Sequence, residues 1–205
     1  MLVALSTFSL AALVVVLLPG PDTLVVLRTL VRGGRATAAR TVLGVLRGLS
    51  VWVVTAVLGL SAVLRASHDA YLVLRLAGAV YLVYLGVRSL RSRGQVPADL
   101  DQGAAGRLVR TGYRAGLLTD LLNPKVGVFF VTFLPGFVPH GMSVPWVSLL
   151  FGSIFVLMTA AYFAVLLTAS RAVTTWLANA RLRKRADRVT GAVLIGFGLR
   201  LALQP

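Results

Sequence analysis

The sequence predicts an all-α protein, a polytopic membrane bundle of about six transmembrane helices. Of its 205 residues, 58% are hydrophobic and only 13% are charged, and the mean hydropathy is +0.87. Soluble domains carry about 25% charged residues. At roughly 20 apolar residues per span, the apolar stretches allow about six helices, which leaves no room for a soluble catalytic domain.

The distribution of positive charge supports this fold and predicts its orientation. The net charge is +15, and Lys and Arg accumulate in cytoplasmic loops of membrane proteins. Residues 28–40 hold four basic residues, 88–114 and 171–188 hold six each, and 139–143 hold none. These three basic segments are therefore predicted to be cytoplasmic and both termini external. Topology explains the charge better than a nucleic-acid partner does.

The residue inventory argues against an enzyme, a metal site or a bound cofactor. The chain has no Cys and only two His, and it contains no Glu. Thiolate ligands and disulfides are excluded. No His/Glu metal pair and no Ser/His/Asp group at one depth is evident in the sequence.

The predicted spans follow from the apolar runs. The first, 2–18, has no basic residue before it, and the apolar run resumes at 23–31 without a small-residue cleavage site, which argues against a signal peptide. The other five spans are predicted at about 41–64, 71–90, 115–138, 144–169 and 189–203.

A polar segment divides the chain nearly in half. Residues 91–110 are rich in turn formers and predict a cytoplasmic linker between a first three-helix repeat, 1–90, and a second, 111–205. The basic stretch 171–188 predicts an amphipathic helix along the inner membrane surface.

The third and sixth spans share a pattern. In both 75–88 and 188–200, an Arg precedes Gly-Ala-Val by three residues and another Arg follows a later Gly by two. Chance similarity of Gly-rich helices is one interpretation. A duplicated three-helix unit is the other, and because three is odd, the second copy would be inverted in the membrane. Inverted repeats place the substrate site at the repeat interface.

Each half of the chain has one helix-breaking sequence, which interrupts the first helix of that half. A broken helix survives in a bilayer only inside protein or along a wet cavity, and this arrangement is typical of secondary transporters. A single proline can also be a tolerated kink, but here both breaks carry an acid. The predicted site comprises eight residues: Pro19, Gly20, Pro21, Asp22, Asp120, Asn123, Pro124 and Lys125.

The breaks predict binding groups for a zwitterion. Proline frees the carbonyl four residues earlier, which here means Leu17 and Asp120, and such carbonyls can bind a cation or an ammonium group. The N–H groups near Asp22 and Thr23 can bind a carboxylate at a helix N-terminus. An amino acid suits a site that offers both.

Four ionisable residues lie within the predicted spans: Asp22, Arg47, Asp120 and Lys125. Intramembrane charges are costly and usually functional. Lys125 is placed deep in the bilayer, roughly 16 Å beyond Arg114 at helical rise, whereas Arg47 can snorkel inward. Either aspartate can instead cap a helix. An acid that gains and loses a proton is also what proton coupling needs; Asp120 is the first choice and Asp22 the second.

Two further groups have structural interpretations beside functional ones. Gly44 and Gly48 place two small residues on one face of the second span, and the default interpretation of such a face is close packing against another helix. Five aromatic residues either line a cavity or pack the bundle: Tyr81, Tyr84, Phe129, Phe130 and Phe133.

Taken in order, these motifs resemble the LysE/RhtB family of bacterial amino-acid exporters. They are Pro19-Gly20-Pro21-Asp22, the Gly-rich run 78–88, Asn123-Pro124-Lys125, Phe129-Phe130 and Phe133-Leu134-Pro135. The resemblance implies six hydrophobic segments in the bacterial cytoplasmic (inner) membrane and export of amino acids or derivatives, driven by the proton gradient. The family often has Gln where this chain has Gly136.

The leading hypothesis is therefore a proton-coupled secondary exporter of amino acids or related zwitterionic solutes. A channel-like or scaffold membrane protein without active transport is the alternative. The expected partners are the solute, protons and the lipid bilayer, without nucleic acid, and the sequence leaves a homodimer open.

Overall fold

The structure, a computed structural model, describes residues 1–60, 68–91, 112–139, 141–169 and 180–203. This part of the chain contains seven α-helices and no strand, which confirms the all-α fold class. The helices are α1 Leu2–Leu17, α2 Pro21–Thr55, α3 His68–Arg91, α4 Tyr113–Leu121, α5 Pro124–Val128, α6 Val144–Thr168 and α7 Ala180–Ala202. Ala56–Leu60 and Phe129–Phe133 are π-helical, and Leu134–Phe137 is a 3-10 turn.

Within the described ranges, two helical stretches are long and apolar enough to cross a membrane. They are Pro21–Gly59 and Val144–Thr168, with mean hydropathies of 1.9 and 2.3. Leu2–Leu17 is apolar but shorter. The total of six spans stays a prediction.

Helix α2 is two segments joined by a sharp reversal at Gly34. Gly34 has φ 71° and ψ −179°, a left-handed φ that favours glycine. Asp22 contacts Asn123, while Trp52 contacts the neighbouring Asp120. A straight helix would separate residues 22 and 52 by roughly 45 Å, so the chain turns back at Gly34. Residues 21–33 thus continue the broken first span, and 35–55 form the second.

Both predicted helix breaks are present. Helix α1 ends at Leu17 and α2 begins at Pro21; α4 ends at Leu121 and α5 begins at Pro124. Each new helix starts with proline at its first position, where the missing N–H has no intrahelical acceptor in any case.

The last helix is longer than predicted. Helix α7 begins at Ala180, so the part of the basic stretch from residue 180 onward continues into the sixth span, and a separate surface helix there is wrong. Residues 180–189 contain no Gly or Pro and are rich in Ala, Leu, Arg and Lys, which are good helix formers. The predicted linker beyond Arg91, residues 171–179, the 61–67 turn and His140 lie outside the described residues.

Helices α3 and α7 pack antiparallel through glycines. A Cβ on Gly191 would lie 2.6 Å from the Gly86 carbonyl oxygen, and one on Gly198 would lie 2.7 Å from that of Ala79. Each contact is therefore backbone against backbone, a common device in membrane bundles. The predicted repeat equates residues 78 and 86 with 191 and 198. The duplication itself stays a prediction, because any antiparallel pair of helices has such a local two-fold relation.

Helix α4 lies against residues 41–48 of α2 in parallel orientation. A Cβ on Gly44 would overlap the Tyr113 carbonyl oxygen, and one on Gly116 would overlap that of Thr41. The predicted packing role of Gly44 is thus present, and this contact holds the second break beside α2.

An aromatic cluster fills the space between α1, α6 and the segment after α5. Phe8 stacks on Phe151 with ring centroids 4.4 Å apart, and Phe129 lies 4.8 Å from Phe155. Phe129 and Phe130 are buried here, so packing is their role, and Tyr84 is exposed. These rings hold α6 against the broken first span.

Arg200, the basic residue at odds with the predicted orientation, lies over the ring of Phe137 at 5.4 Å. This cation–π contact stabilises the Arg200 charge without requiring that the residue face the cytoplasm.

Candidate transport site

The two helix breaks meet. The side-chain amide of Asn123, at the second break, donates a hydrogen bond to Asp22 Oδ2 at the first, over 2.6 Å. Lys125 reaches across in the same direction, and its ammonium donates to the carbonyl oxygens of Val15 (3.3 Å) and Leu18 (3.1 Å). Residues more than a hundred positions apart thus form one polar cluster.

The second break is built from local chemistry. Asn123 is the N-cap of α5, and its Oδ1 accepts the backbone N–H of Lys125 at 3.1 Å. Pro124 follows at the first helical position. The cap fixes the orientation of the Asn123 amide, so its Nδ2 is free to face Asp22.

The first break offers carbonyl oxygens that accept hydrogen bonds from Lys125 at the second break. Because α1 ends at Leu17 and Pro19 has no N–H, the last carbonyls of α1 lack intrahelical donors. They form the negative end of the helix dipole, which favours a cation, and the Lys125 ammonium fills this place. Gly20 leaves room for it, since a Cβ there would lie 3.1 Å from Nζ. The proline rule named the Leu17 carbonyl as the free one at this break; the carbonyls that accept an ammonium group here are those of Val15 and Leu18, and the ammonium belongs to the chain itself.

The carbonyl expected to be free at the second break is occupied. The Asp120 carbonyl oxygen accepts the Trp52 indole N–H at 3.3 Å and the Asn123 N–H at 3.0 Å. It is therefore no ligand site, which corrects the prediction from the proline rule. The indole supplies the donor that the proline removes.

The Asp120 side chain is enclosed. It is 0% exposed, and Gly48 of α2 faces it so closely that a Cβ would overlap Oδ2. Neither carboxyl oxygen has a hydrogen-bond partner among the described residues. Asp22 and Lys125 act on it electrostatically. Gly48 therefore provides the room for this carboxyl.

A pocket opens beside the meeting point. Its cavity volume is about 30 Å³, enough for one or two waters but not for an amino acid. Its polar side is formed by Gly20, Asp22, Thr23 and Lys125. The rest of the lining is Val15, Val16, Leu49, Val126, Phe155, Thr159, Tyr162 and Phe163.

Sequence reasoning missed the wall that α6 contributes. Thr159 and Tyr162 line the pocket together with Thr23 of α2, and the Thr159 hydroxyl donates to the Phe155 carbonyl at 2.9 Å. The spacing of Thr159 and Tyr162 by three residues, which puts two polar side chains on one helix face, was the available signal.

The remaining predicted residues have clear positions. Asp22 lies in the first turn of α2 behind the N-cap Gly20, and Asn123 caps α5, so neither aspartate is a capping residue. Pro19 links α1 to α2, and Pro124 is exposed. Arg47 is also exposed, on the face of α2 away from Gly48.

Comparison with known proteins places the chain among transporters. The profile of the LysE type translocator family matches residues 13–205. An uncharacterised membrane protein of Pseudomonas aeruginosa is 35% identical over 201 residues, 96% of this chain and 93% of its own length. No solved structure matches the chain significantly.

Several relatives carry functional names. The threonine efflux protein of Escherichia coli is 28% identical over 207 residues, 99% of each chain. The leucine efflux protein of Klebsiella pneumoniae is 27% identical over 203 residues, 96% of this chain and 93% of its own. The match to the family profile over nearly the whole length means that the chain belongs to the LysE type translocator family of membrane transporters and is not an enzyme.

Proposed function

We propose that this protein exports amino acids across the bacterial cytoplasmic membrane in exchange for protons. The observation that carries the proposal is the meeting of the two breaks, where Asn123 bonds Asp22 and Lys125 bonds the end of α1. The names of the threonine and leucine efflux relatives support an amino acid as the solute.

The pocket offers a place for both charges of an amino acid. In the first turn of α2, the N–H groups of Asp22 and Thr23 have no intrahelical acceptor, and Thr23 lines the pocket. These groups suit a carboxylate. The Asp22 carboxyl and the carbonyls at the end of α1 suit an ammonium group, as half-helix ends do in other transporters.

Charge balance supports proton coupling. Two acids and one base meet at the breaks: Asp22, Asp120 and Lys125. With all three ionised, the cluster carries one net negative charge, which is costly in a membrane protein interior. One shared proton makes it neutral. A bound amino acid adds no net charge: its ammonium takes the place of that proton beside the acids, and its carboxylate lies at the N-terminus of α2, whose dipole stabilises an anion. One solute therefore leaves as one proton enters.

The structure shifts the choice of the proton carrier. Asp22 lines the pocket, whereas Asp120 is sealed behind Gly48. A carrier must exchange its proton with the solution on both sides, so Asp22 is favoured over Asp120, the first choice from sequence. Asp120 then acts as a fixed countercharge.

An export screen of amino acids from cells that express the chain identifies the solute. Purified protein in proteoliposomes should then show counterflow of the labelled solute and uphill transport driven by a pH gradient. A channel-like protein would dissipate the solute gradient without concentrating it, and a scaffold protein would give no flux.

Coupling is tested with Asp22→Asn, which should keep solute exchange and lose pH-driven uphill export. Arg47→Gln is the matched control, because Arg47 is exposed and outside the pocket. If Asp22→Asn and Asp120→Asn both still concentrate solute in response to pH, the proton-coupling proposal fails.

The orientation remains a proposal with its own test. The chain has no cysteine, so single cysteines can be introduced and labelled from outside with an impermeant thiol reagent. Position 141 should react in intact cells and position 95 should not; the reverse result would overturn the orientation.

A further inference from the structure

We infer that Lys125 is a built-in competitor of the substrate: its ammonium occupies the carbonyl site at the end of α1 that the ammonium group of an amino acid takes during transport. The inference rests on the proposed function for the identity of the ligand. The obvious alternative role for a lysine in such a pocket is an anchor for the substrate carboxylate.

The geometry favours competition over anchoring. The Lys125 ammonium already donates to the carbonyls of Val15 and Leu18, so it does not stand in the pocket as an unpartnered cation. These carbonyls end a 16-residue helix, so they attract any ammonium group that reaches them. A primary amine on the chain and one on a ligand make the same contacts there.

The size of the pocket points the same way. The present cavity, about 30 Å³, holds water but no amino acid, and both Lys125 and Gly20 line it. Moving the lysine side chain out of this corner frees the volume of its ammonium and end methylenes. The same movement frees the carbonyls, so space and partners become available together.

The exchange redistributes positive charge at the breaks, because a zwitterionic amino acid brings an ammonium group and a carboxylate together. Without substrate, the cluster holds the Lys125 ammonium, two aspartates and one proton. With the substrate ammonium on the α1 carbonyls, Lys125 turns toward Asp22 and Asp120, both of which already act on it electrostatically. The Lys125 ammonium takes the place of the proton beside the two acids, while the substrate carboxylate lies at the N-terminus of α2, whose dipole stabilises an anion. Competition for one site thereby links substrate binding to proton release.

The test compares wild type, Lys125→Ala and Gly20→Ala by calorimetric titration in lipid nanodiscs. The first probe is n-propylammonium, which completes the truncated side chain, with 1-propanol as its uncharged match. Lys125→Ala should bind the cation about tenfold or more tightly than wild type, because charge-assisted hydrogen bonds are regained. Neither protein should bind 1-propanol.

The second probes are L-threonine and L-leucine, each beside its 2-hydroxy acid, which keeps the carboxylate and lacks the ammonium. With the competitor removed, whichever amino acid binds the wild type should bind Lys125→Ala more tightly, while the hydroxy acid is unchanged. If Lys125 anchors the carboxylate, both ligands weaken, and the inference is wrong.

Gly20→Ala gives an independent readout should Lys125→Ala fail to fold. Gly20 has φ −141° and ψ −170°, an extended backbone open to any residue, and its new Cβ would press on the mobile end of Lys125. The amino acid should bind this variant more tightly as well, by a smaller factor. Gly59→Ala is the control, since nothing lies within 4 Å of its Cβ.

The two proposals fail separately. If amino acids bind neither the wild type nor the variants but propylammonium binds Lys125→Ala, amino-acid export is contradicted. The ammonium-binding site on the α1 carbonyls is then still supported. If amino acids bind the wild type but bind Lys125→Ala less tightly, and propylammonium binding does not increase, the proposal that Lys125 competes with the substrate is wrong. Amino-acid export is then still supported.

Discussion

The two helix breaks are alike in sequence chemistry and differ in how their backbone groups are satisfied. The second break is self-contained: Asn123 caps α5, and Trp52 covers the Asp120 carbonyl. The first has Gly20 at its cap position, without a side-chain hydrogen bond, and its carbonyls depend on Lys125. One break is therefore fixed and the other can exchange partners, which is the asymmetry a carrier site needs.

Removing Lys125 should produce the largest effect, because it leaves the first break without its donor and the two aspartates without their base. Breaking a buried charge cluster costs about 3–5 kcal/mol, which corresponds to roughly 100-fold or more in an equilibrium. We expect Lys125→Ala and Asp120→Asn to abolish export while the protein still inserts. Export assays with immunoblots of the membrane fraction measure this.

Normal export by Lys125→Ala at normal abundance would remove Lys125 from the site. Arg91→Ala, an exposed basic residue at the end of α3, is the matched control and should export normally.

Gly48, by lacking a side chain, leaves a notch that holds the Asp120 carboxyl. Filling this notch should have the next largest effect. Gly48→Ala places a methyl group where Oδ2 lies, and overpacking of this kind costs about 1–3 kcal/mol. We expect a lower unfolding temperature and weaker pH-driven export. Gly196→Ala, with open space around its Cβ, should change neither; equal behaviour of the two variants would show that the Gly48 notch is unimportant.

Replacing the cap tests how far the second break is self-contained. Asn123→Ala loses the cap, worth about 1 kcal/mol, and the hydrogen bond to Asp22 as well. Asn123→Asp can still cap α5 but sets a third acid against Asp22. We expect Asn123→Ala to be less stable on thermal unfolding and Asn123→Asp to transport less well per folded molecule. If both variants lose stability and transport in parallel, Asn123 only holds the helix.

Trp52→Phe should have the smallest effect. It removes the indole donor to the Asp120 carbonyl, a hydrogen bond worth about 1 kcal/mol, while an aromatic ring still faces Gly127. We expect a slight loss of thermal stability and retained export. Trp146→Phe, at a side chain that is 72% exposed, is the control, and a loss of export in Trp52→Phe alone would give the indole a larger role.

The part of this site that could be predicted is the part with local chemistry. Proline at a helix start and Asn before it act through their own backbone, so both breaks follow from sequence. The cap positions of Asn123 and Gly20 were not predicted, since the aspartates were named as the possible capping residues. The pairing of Asp22 with Asn123 could be expected only as a meeting of breaks in two repeats, because a hydrogen bond between residues 101 positions apart depends on packing.

What could not be predicted depends on neighbours across the bundle. The proline rule frees the Asp120 carbonyl but cannot know that Trp52 covers it. The three-residue spacing of Thr159 and Tyr162 puts them on one helix face, but this spacing alone does not distinguish a pocket wall from an ordinary packed face. The early start of α7 was missed because hydropathy marks where a span meets the lipid, whereas the helix continues for as long as its residues favour it.

The glycine contacts between α3 and α7 have a mechanical consequence. At Gly86 and Gly191 the two backbones approach each other directly, with the side chains of Leu90 and Ile195 packed closely against the same glycines. Close-packed interiors change by discrete steps and not by gradual deformation. Helices α3 and α7 should therefore move together as one rigid body. Any rocking that exposes the site alternately must be taken up elsewhere, by the broken spans and α6.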